Sequence, residues 1–152
     1  MYNVSDYEIR EVKGFEIPTA LELVRRVFLE YEAPDYEPEG IAEFFRTIEN
    51  QEFLEKLRMY GAWKGDQFVG VLATRSEGRH IALFFVDSSY QQKGIGRLLF
   101  ETAYQNAPLG EMTVNSSPYA VGVYRKFGFA DTGAEEIVNG IRFTPMKIIK
   151  DR

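Results

Sequence analysis

Two glycines one residue apart, Gly94 and Gly96, end the polar run Asp87-Ser88-Ser89-Tyr90-Gln91-Gln92-Lys93. The apolar segment Ile81 to Val86 precedes that run, and the amphipathic segment Ile95 to Tyr104 follows it. The pattern predicts a strand, a short loop and a glycine-rich helix start. Such a junction suits an anion. The first amides of a helix have no intrahelical acceptor and carry the positive end of the dipole. Residues without a Cβ let a phosphate come close to that backbone. Two phosphate motifs fail. The P-loop needs Gly-Lys-Ser/Thr, and Gly96 is followed by Arg97-Leu98. The dinucleotide fingerprint needs a third glycine at position 99, which is Leu99, and it opens its fold, whereas this strand comes about fourth.

The elements that must hold this junction follow from periodicity and punctuation. Tyr7 to Val12 predicts a strand ended by Gly14. Leu21, Val24, Val27, Phe28 and Tyr31 give a helix over 17–31, with Pro18 in its first turn. Pro34 and Pro38 stop the chain in an acidic loop, and a second helix carries Ile41, Phe44, Phe45 and Ile48, restarting near Phe53. Ala62 to Lys64 and Gln67 to Thr74 form a hairpin around Gly65-Asp66. Positions 81–86 are apolar on both faces, as in a central strand. A short strand over 111–115 comes next. Ser117-Pro118 reads as a cap and first position of a helix that Gly128 ends. Phe129 to Val138 and Ile141 to Ile149 are late strands joined by Asn139-Gly140. The fold class is α/β (α+β), a mixed sheet covered by helices.

Composition narrows the chemistry. A chain of 152 residues suits one domain over 1–152. The net charge of −5 argues against a nucleic-acid partner, which needs clustered cations. The absence of cysteine removes disulfides, thiolate metal sites and Cys nucleophiles. The single histidine, His80, leaves no His-based metal cluster and argues against a Ser-His-Asp triad. No apolar run approaches a membrane span, and no signal-peptide pattern opens the sequence, so a cytoplasmic location is expected.

Gln91-x-x-Gly94-x-Gly96, after a strand and before a helix, resembles the acyl-coenzyme A motif of the GNAT N-acetyltransferase family. Phe84-Phe85-Val86 stands where that family has its central strand. Ala120, Tyr124 and Gly128-Phe129 repeat its downstream signature, Ala-x-x-x-Tyr-x-x-x-Gly-Phe. The resemblance implies a mixed, mostly antiparallel sheet with a splayed parallel strand pair and about four helices. It implies acetyl-coenzyme A as co-substrate, an amine acceptor, no metal and, by analogy, a homodimer. Backbone amides of Gln91, Gln92, Lys93, Gly94, Ile95, Gly96 and Arg97 would hold the pyrophosphate. Backbone groups of Phe84, Phe85 and Val86 would pair with the pantetheine arm and polarise the thioester. Ala120 belongs to the cofactor side. Asn115 lies two residues before Ser117, the position where relatives carry an Asn; the motif does not carry a role over to it, and it is kept as a candidate pantetheine or water contact. Tyr124 would be the general acid for the departing thiolate.

The base stays open. Relatives place a Glu on or beside the central strand, and Arg79 to Val86 has none. His80 titrates near neutrality, and Glu30, Glu32, Asp35 and Glu37 lie where the family builds its acceptor pocket; water could also relay the proton. The missing strand carboxylate keeps a second reading in view, an acyl-coenzyme A sensor without turnover. A nucleotide-binding regulatory domain is the weaker rival.

Overall fold

The computed structural model describes residues 6–151. Among the described residues, eight strands and five α-helices follow in this order: β1 Glu8–Glu11, α1 Ile17–Tyr31, α2 Pro38–Ile48, α3 Gln51–Glu55, β2 Arg58–Lys64, β3 Gln67–Arg75, β4 His80–Val86, α4 Ile95–Asn106, β5 Gly110–Ser116, α5 Val121–Phe127, β6 Ala130–Asp131, β7 Glu136–Val138 and β8 Ile141–Lys150. The sheet runs β1-β2-β3-β4-β5-β8-β6, with β7 also on β8. All pairings are antiparallel except β4 with β5. The fold is therefore the expected mixed sheet, with β4 central. No described helix is long and apolar enough to cross a membrane.

Each face of the sheet buries one apolar cluster. Leu21, Val24, Val27 and Phe28 of α1 pack with Val71, Ala73, Leu83 and Phe85. Phe28 stacks on Phe44 of α2, with ring centroids 3.9 Å apart and planes 7° apart. On the other face Ile95, Leu99 and Phe100 of α4 pack with Leu72, Ile81, Val114 and Tyr124. Strand β4 serves both clusters, which is why its sequence is apolar throughout.

One irregularity in β4 decides where the site forms. Ala73 pairs with Leu83 and Thr74 with Ile81, so Ala82 has no counterpart on β3. This is a β-bulge, which bends and twists its strand. It flips the alternation, so Ile81 joins the α4 cluster and Leu83 the α1 cluster. It also coincides with the parting of β4 from β5. That parallel pair has only two rungs, His80↔Thr113 and Ile81↔Val114. Past the bulge the two strands diverge.

The late strands depart from the sequence reading. The predicted strand over 129–138 is two short pieces, 130–131 and 136–138, separated by a loop. Between them lies Pro145 of β8, which has no N–H for a neighbouring strand. The intervening chain keeps one bond to it, from the Thr132 amide to the Pro145 carbonyl (2.8 Å). The second helix does restart near Phe53, as α2 and α3 separated at Glu49-Asn50, where the Asn50 side chain caps the second by accepting from the Phe53 amide (3.1 Å). That division gives five α-helices instead of about four.

The start of α2 rests on the β7–β8 turn. Asn139 and Gly140 both have positive φ, as the hairpin requires. A Cβ on Gly40 would stand 2.1 Å from the Gly140 carbonyl oxygen. The Glu37 amide donates to that oxygen, and Arg142 Nε donates to the Asp35 carbonyl. Gly40→Ala should therefore destabilise the protein by ~1–3 kcal/mol, the usual penalty for overpacking. Gly14, whose added Cβ would meet nothing within 4 Å, should accept Ala within about 0.5 kcal/mol. Urea midpoints of the two variants measure the contrast.

Candidate active site

The glycine loop is pinned at its start. The Asp87 carboxylate accepts from the Ser89 amide (2.9 Å) and from the Arg26 guanidinium of α1 (2.9 Å). Asp87 is buried, so this pairing fixes the loop against the sheet. The chain then turns through left-handed Gln92 and Gly94 (φ 62° and 85°) into α4. Among the described residues, no amide from Gln91 to Arg97 donates to a backbone carbonyl. The first bond of α4 runs from the Leu98 amide to the Gly94 carbonyl (3.1 Å). Seven consecutive amides are thus free to meet an anion. Gly96 lets this turn press on β4, since a Cβ there would lie 3.2 Å from the Phe84 ring. Ile95 is buried in the core and can offer only its backbone.

Where β4 and β5 diverge there is a cavity of about 150 Å³. Phe84, Phe85, Asn115, Ser117, Ala120 and Tyr124 line it on the side of the loop. Glu32, Tyr36, Phe44 and Ile141 line it on the side of the helices and the last hairpin. The Asp87 amide donates to Val69 (2.9 Å), so by alternation Phe84 and Val86 turn their N–H and C=O groups away from β3 into the gap. The Gln91 side chain reaches back to the Val86 carbonyl (3.0 Å) and accepts from the Tyr119 hydroxyl (2.6 Å). Tyr119 lies 4.8 Å, ring to ring, from Tyr31 at the end of α1. These contacts bridge the two sides of the cavity.

Coenzyme A fits this arrangement. The free amides suit its pyrophosphate, and the diverging strands leave edge groups for the amides of its pantetheine arm. Two of the flanking cations are engaged. Arg97 lies over the Phe127 ring (5.0 Å) beside Glu101 (3.7 Å), and Arg125 pairs with Asp131 (2.8 Å).

Tyr124 is buried on α5, packed against Phe84 and Phe129, with ring centroids 5.8 and 5.4 Å away. Burial, then the nearby Glu32 charge, pushes its phenol above the ordinary tyrosine value. It therefore stays protonated at neutral pH and has a proton to donate. His80 lies outside the cavity, at the far end of β4. Its Nδ1 is 2.8 Å from Thr113 Oγ1, and burial, then the Arg75 charge, lowers its pKa to about 4. It is neutral at pH 7 and does not line Tyr124's cavity.

The acidic loop divides. Glu32 closes α1, its amide donating to the Phe28 carbonyl (2.9 Å), and of the four acidic candidates it alone lines the cavity. Although the residue keeps partial solvent contact, its carboxyl is desolvated, and with the Asp35 charge this raises its pKa to about 7. The Ser117 hydroxyl acts the other way. Ser117 is the second departure from the sequence reading. It precedes a helical turn at 118–120, but its side chain caps nothing. Its Oγ is buried without a hydrogen-bond partner among the described residues, facing Glu32 without a bond of good geometry. Tyr36, Phe44 and Ile141 were not candidates from the sequence, because each reads as ordinary core. Glu32 carried one available signal, a carboxylate directly after the last apolar position of a helix.

Glu32 ionises less readily folded than unfolded. The folded state then binds more protons between pH 4.5 and 7, so its stability falls as pH rises through that window. Glu32→Gln should match the wild type near pH 4.5 and exceed it by ~1–3 kcal/mol at pH 8. Denaturant melts at the two pH values measure the difference.

Residues 32–150 match the sequence profile of the acetyltransferase (GNAT) domain. An uncharacterized N-acetyltransferase of Bacillus subtilis, YvbK, is 38% identical over 87 residues, covering 51% of this chain and 56% of that one. The peptidyl-lysine N-acetyltransferase YjaB of Escherichia coli is 39% identical over 75 residues, covering 47% and 48%. The chain thus spans about half the length of the curated relatives it matches. Among solved structures, the PaiA N-acetyltransferase of Thermoplasma acidophilum in complex with coenzyme A superposes with a TM-score of 0.72 at 20% identity, over 94% of this chain and 98% of that one. A family profile that takes in most of the chain, on a sheet opened at the same parallel pair the motifs require, makes this chain a member of the GNAT acetyltransferase family.

Proposed function

We propose that the chain is an N-acetyltransferase that moves an acetyl group from acetyl-coenzyme A to a primary amine, by direct attack in a ternary complex. One observation carries the reading: seven free amides at 91–97 follow β4, whose Phe84 and Phe85 line a cavity between parted strands with a protonated tyrosine on its wall. The names of the YvbK and YjaB relatives and the coenzyme A bound to PaiA support the same chemistry.

Acetyl-coenzyme A, when bound, supplies an acetyl group on sulfur. The amides of Gln91 to Arg97 hold the pyrophosphate. The outward groups of Phe84 and Val86 take the pantetheine arm, with Asn115 and Ala120 on the facing wall, and a backbone amide near Phe85 or Val86 polarises the carbonyl. For the arm to reach the Val86 carbonyl, the Gln91 amide must leave it. Tyr124 donates a hydrogen bond to the sulfur as charge develops there. Without cysteine, the chain offers no acyl-enzyme thiol. We place the activity in the cytoplasm, in one domain and without a nucleic-acid partner.

Release of free thiol from acetyl-coenzyme A, with pentylamine, spermidine and Nα-acetyllysine as acceptors, tests the reaction. Amine-dependent release is expected; binding of coenzyme A without any release is the result that replaces the enzyme by a sensor. Tyr124→Phe should lower kcat at least tenfold, ~1.4 kcal/mol in the barrier, while the Kd for coenzyme A stays within twofold. Unchanged kcat would remove Tyr124 from the chemistry.

A further inference from the structure

Strand β4 has no carboxylate, yet an amine that arrives protonated must lose a proton before it can attack. The cavity supplies one group able to take it. Among the described residues Glu32 is the cavity's only carboxylate, and it shares that lining with Tyr124. It is held from the far side, by the end of α1, so it faces β5 and α5 across the gap. Beside it is the Ser117 hydroxyl, 94% buried as a residue and without a partner. A buried hydroxyl left unbonded costs about 1–3 kcal/mol, so its persistence points to a ligand that completes it. The cavity is small, about 150 Å³, and Phe44, Tyr36, Phe85 and Ile141 make its far wall apolar or aromatic. Such a wall accepts an unbranched alkyl chain, and the carboxylate at its end accepts a cation.

We propose that Glu32 is the catalytic base and Ser117 its positioning partner, and that together they select a primary amine entering as an ammonium group on a slender alkyl chain. This rests on the acetyl-transfer reading. Glu32 takes one proton from the ammonium. The nitrogen lone pair then forms the N–C bond while the C–S bond breaks. The second nitrogen proton reaches the sulfur through the Tyr124 hydroxyl, which gives one proton and takes one, so no phenolate persists. Glu32 returns its proton to solvent when the amide leaves. Ser117 Oγ accepts from the nitrogen and keeps it between Glu32 and the thioester.

The groups around Glu32 favour this role. Asp35 and Tyr36 face it from the loop after α1, and Tyr119 and Tyr124 face it from the α5 side. Arg142 of β8 is occupied with the Asp35 carbonyl and Glu135. Anionic and neutral neighbours keep the carboxyl basic; a bound ammonium then completes its charge. A base of near-neutral pKa matches the operating pH.

The test is the pH profile of kcat/KM with Nα-acetyllysine and saturating acetyl-coenzyme A. The wild type should show an acid limb with its midpoint near 7. Glu32→Gln should lower kcat by about 100-fold or more at pH 7.5, keep the coenzyme A Kd within twofold, and lose that limb. A kcat loss below threefold, or a retained limb, overturns the assignment of the base. Ser117→Ala should raise the midpoint and KM more than it lowers kcat, with Ser117→Thr restoring the midpoint. An unmoved midpoint overturns the part given to Ser117. A 13C titration of the Glu32 carboxyl needs no turnover: a midpoint near 7 supports the base even if the acceptor class is wrong, and one near 4.5 overturns it.

Discussion

The site exists because two parallel strands stop being a pair. Strands β4 and β5 share two rungs and then separate, at the residue where β4 carries its bulge. Parallel pairing leaves no edge groups free inside a sheet, and ordinary twist would not open one. The extra residue at Ala82 supplies the bend. It also turns Phe84 toward α4 and Phe85 toward α2, so one ring supports the glycine turn and the other walls the acceptor side. The cavity's two halves are therefore consecutive residues of one strand, set to opposite faces.

Burial divides the polar work between the two sides. On the loop side the amides of 91–97 and the dipole of α4 present fixed positive ends without any charged side chain having to be buried. On the helix side a carboxyl is held in low dielectric with acidic and phenolic neighbours. The overall charge of −5 is thus compatible with an anionic co-substrate, because attraction comes from oriented backbone and not from a basic surface. Arg26 contributes indirectly, by fixing Asp87 and with it the first residues of the turn.

Much of the architecture was legible because it rests on local signals. Periodicity gave α1 with the bounds Ile17–Tyr31, and Gly128 ended α5 in the left-handed conformation that glycine favours. The turn before α4 was readable from its glycines, and Tyr124 from its place in the downstream motif; the structure puts Tyr124 on the cavity wall and the turn just beyond the end of β4. Other features depend on partners distant in sequence. The bulge at Ala82 is a mismatch of register with β3, which nothing in Ile81-Ala82-Leu83 announces. The break in the last strands comes from Pro145, on the neighbouring strand. Ser117 has the sequence of a cap, but the chain bends so that its hydroxyl points at α1 instead. Glu32 stood among four acidic residues of similar appearance; only tertiary packing separates the one that is desolvated from those in water.

The glycine pair at 40 and 140 has a consequence for how acceptor preference can change. These backbones touch without side chains between them, so the start of α2 and the tip of the last hairpin form one contiguous piece. That piece carries Tyr36, Phe44 and Ile141, while the cofactor elements lie on the opposite side of the sheet's opening. Acceptor choice is then coupled: segments 33–48 and 136–143 would have to be exchanged together, as a matched insert that still packs a side chain against Phe85 of β4.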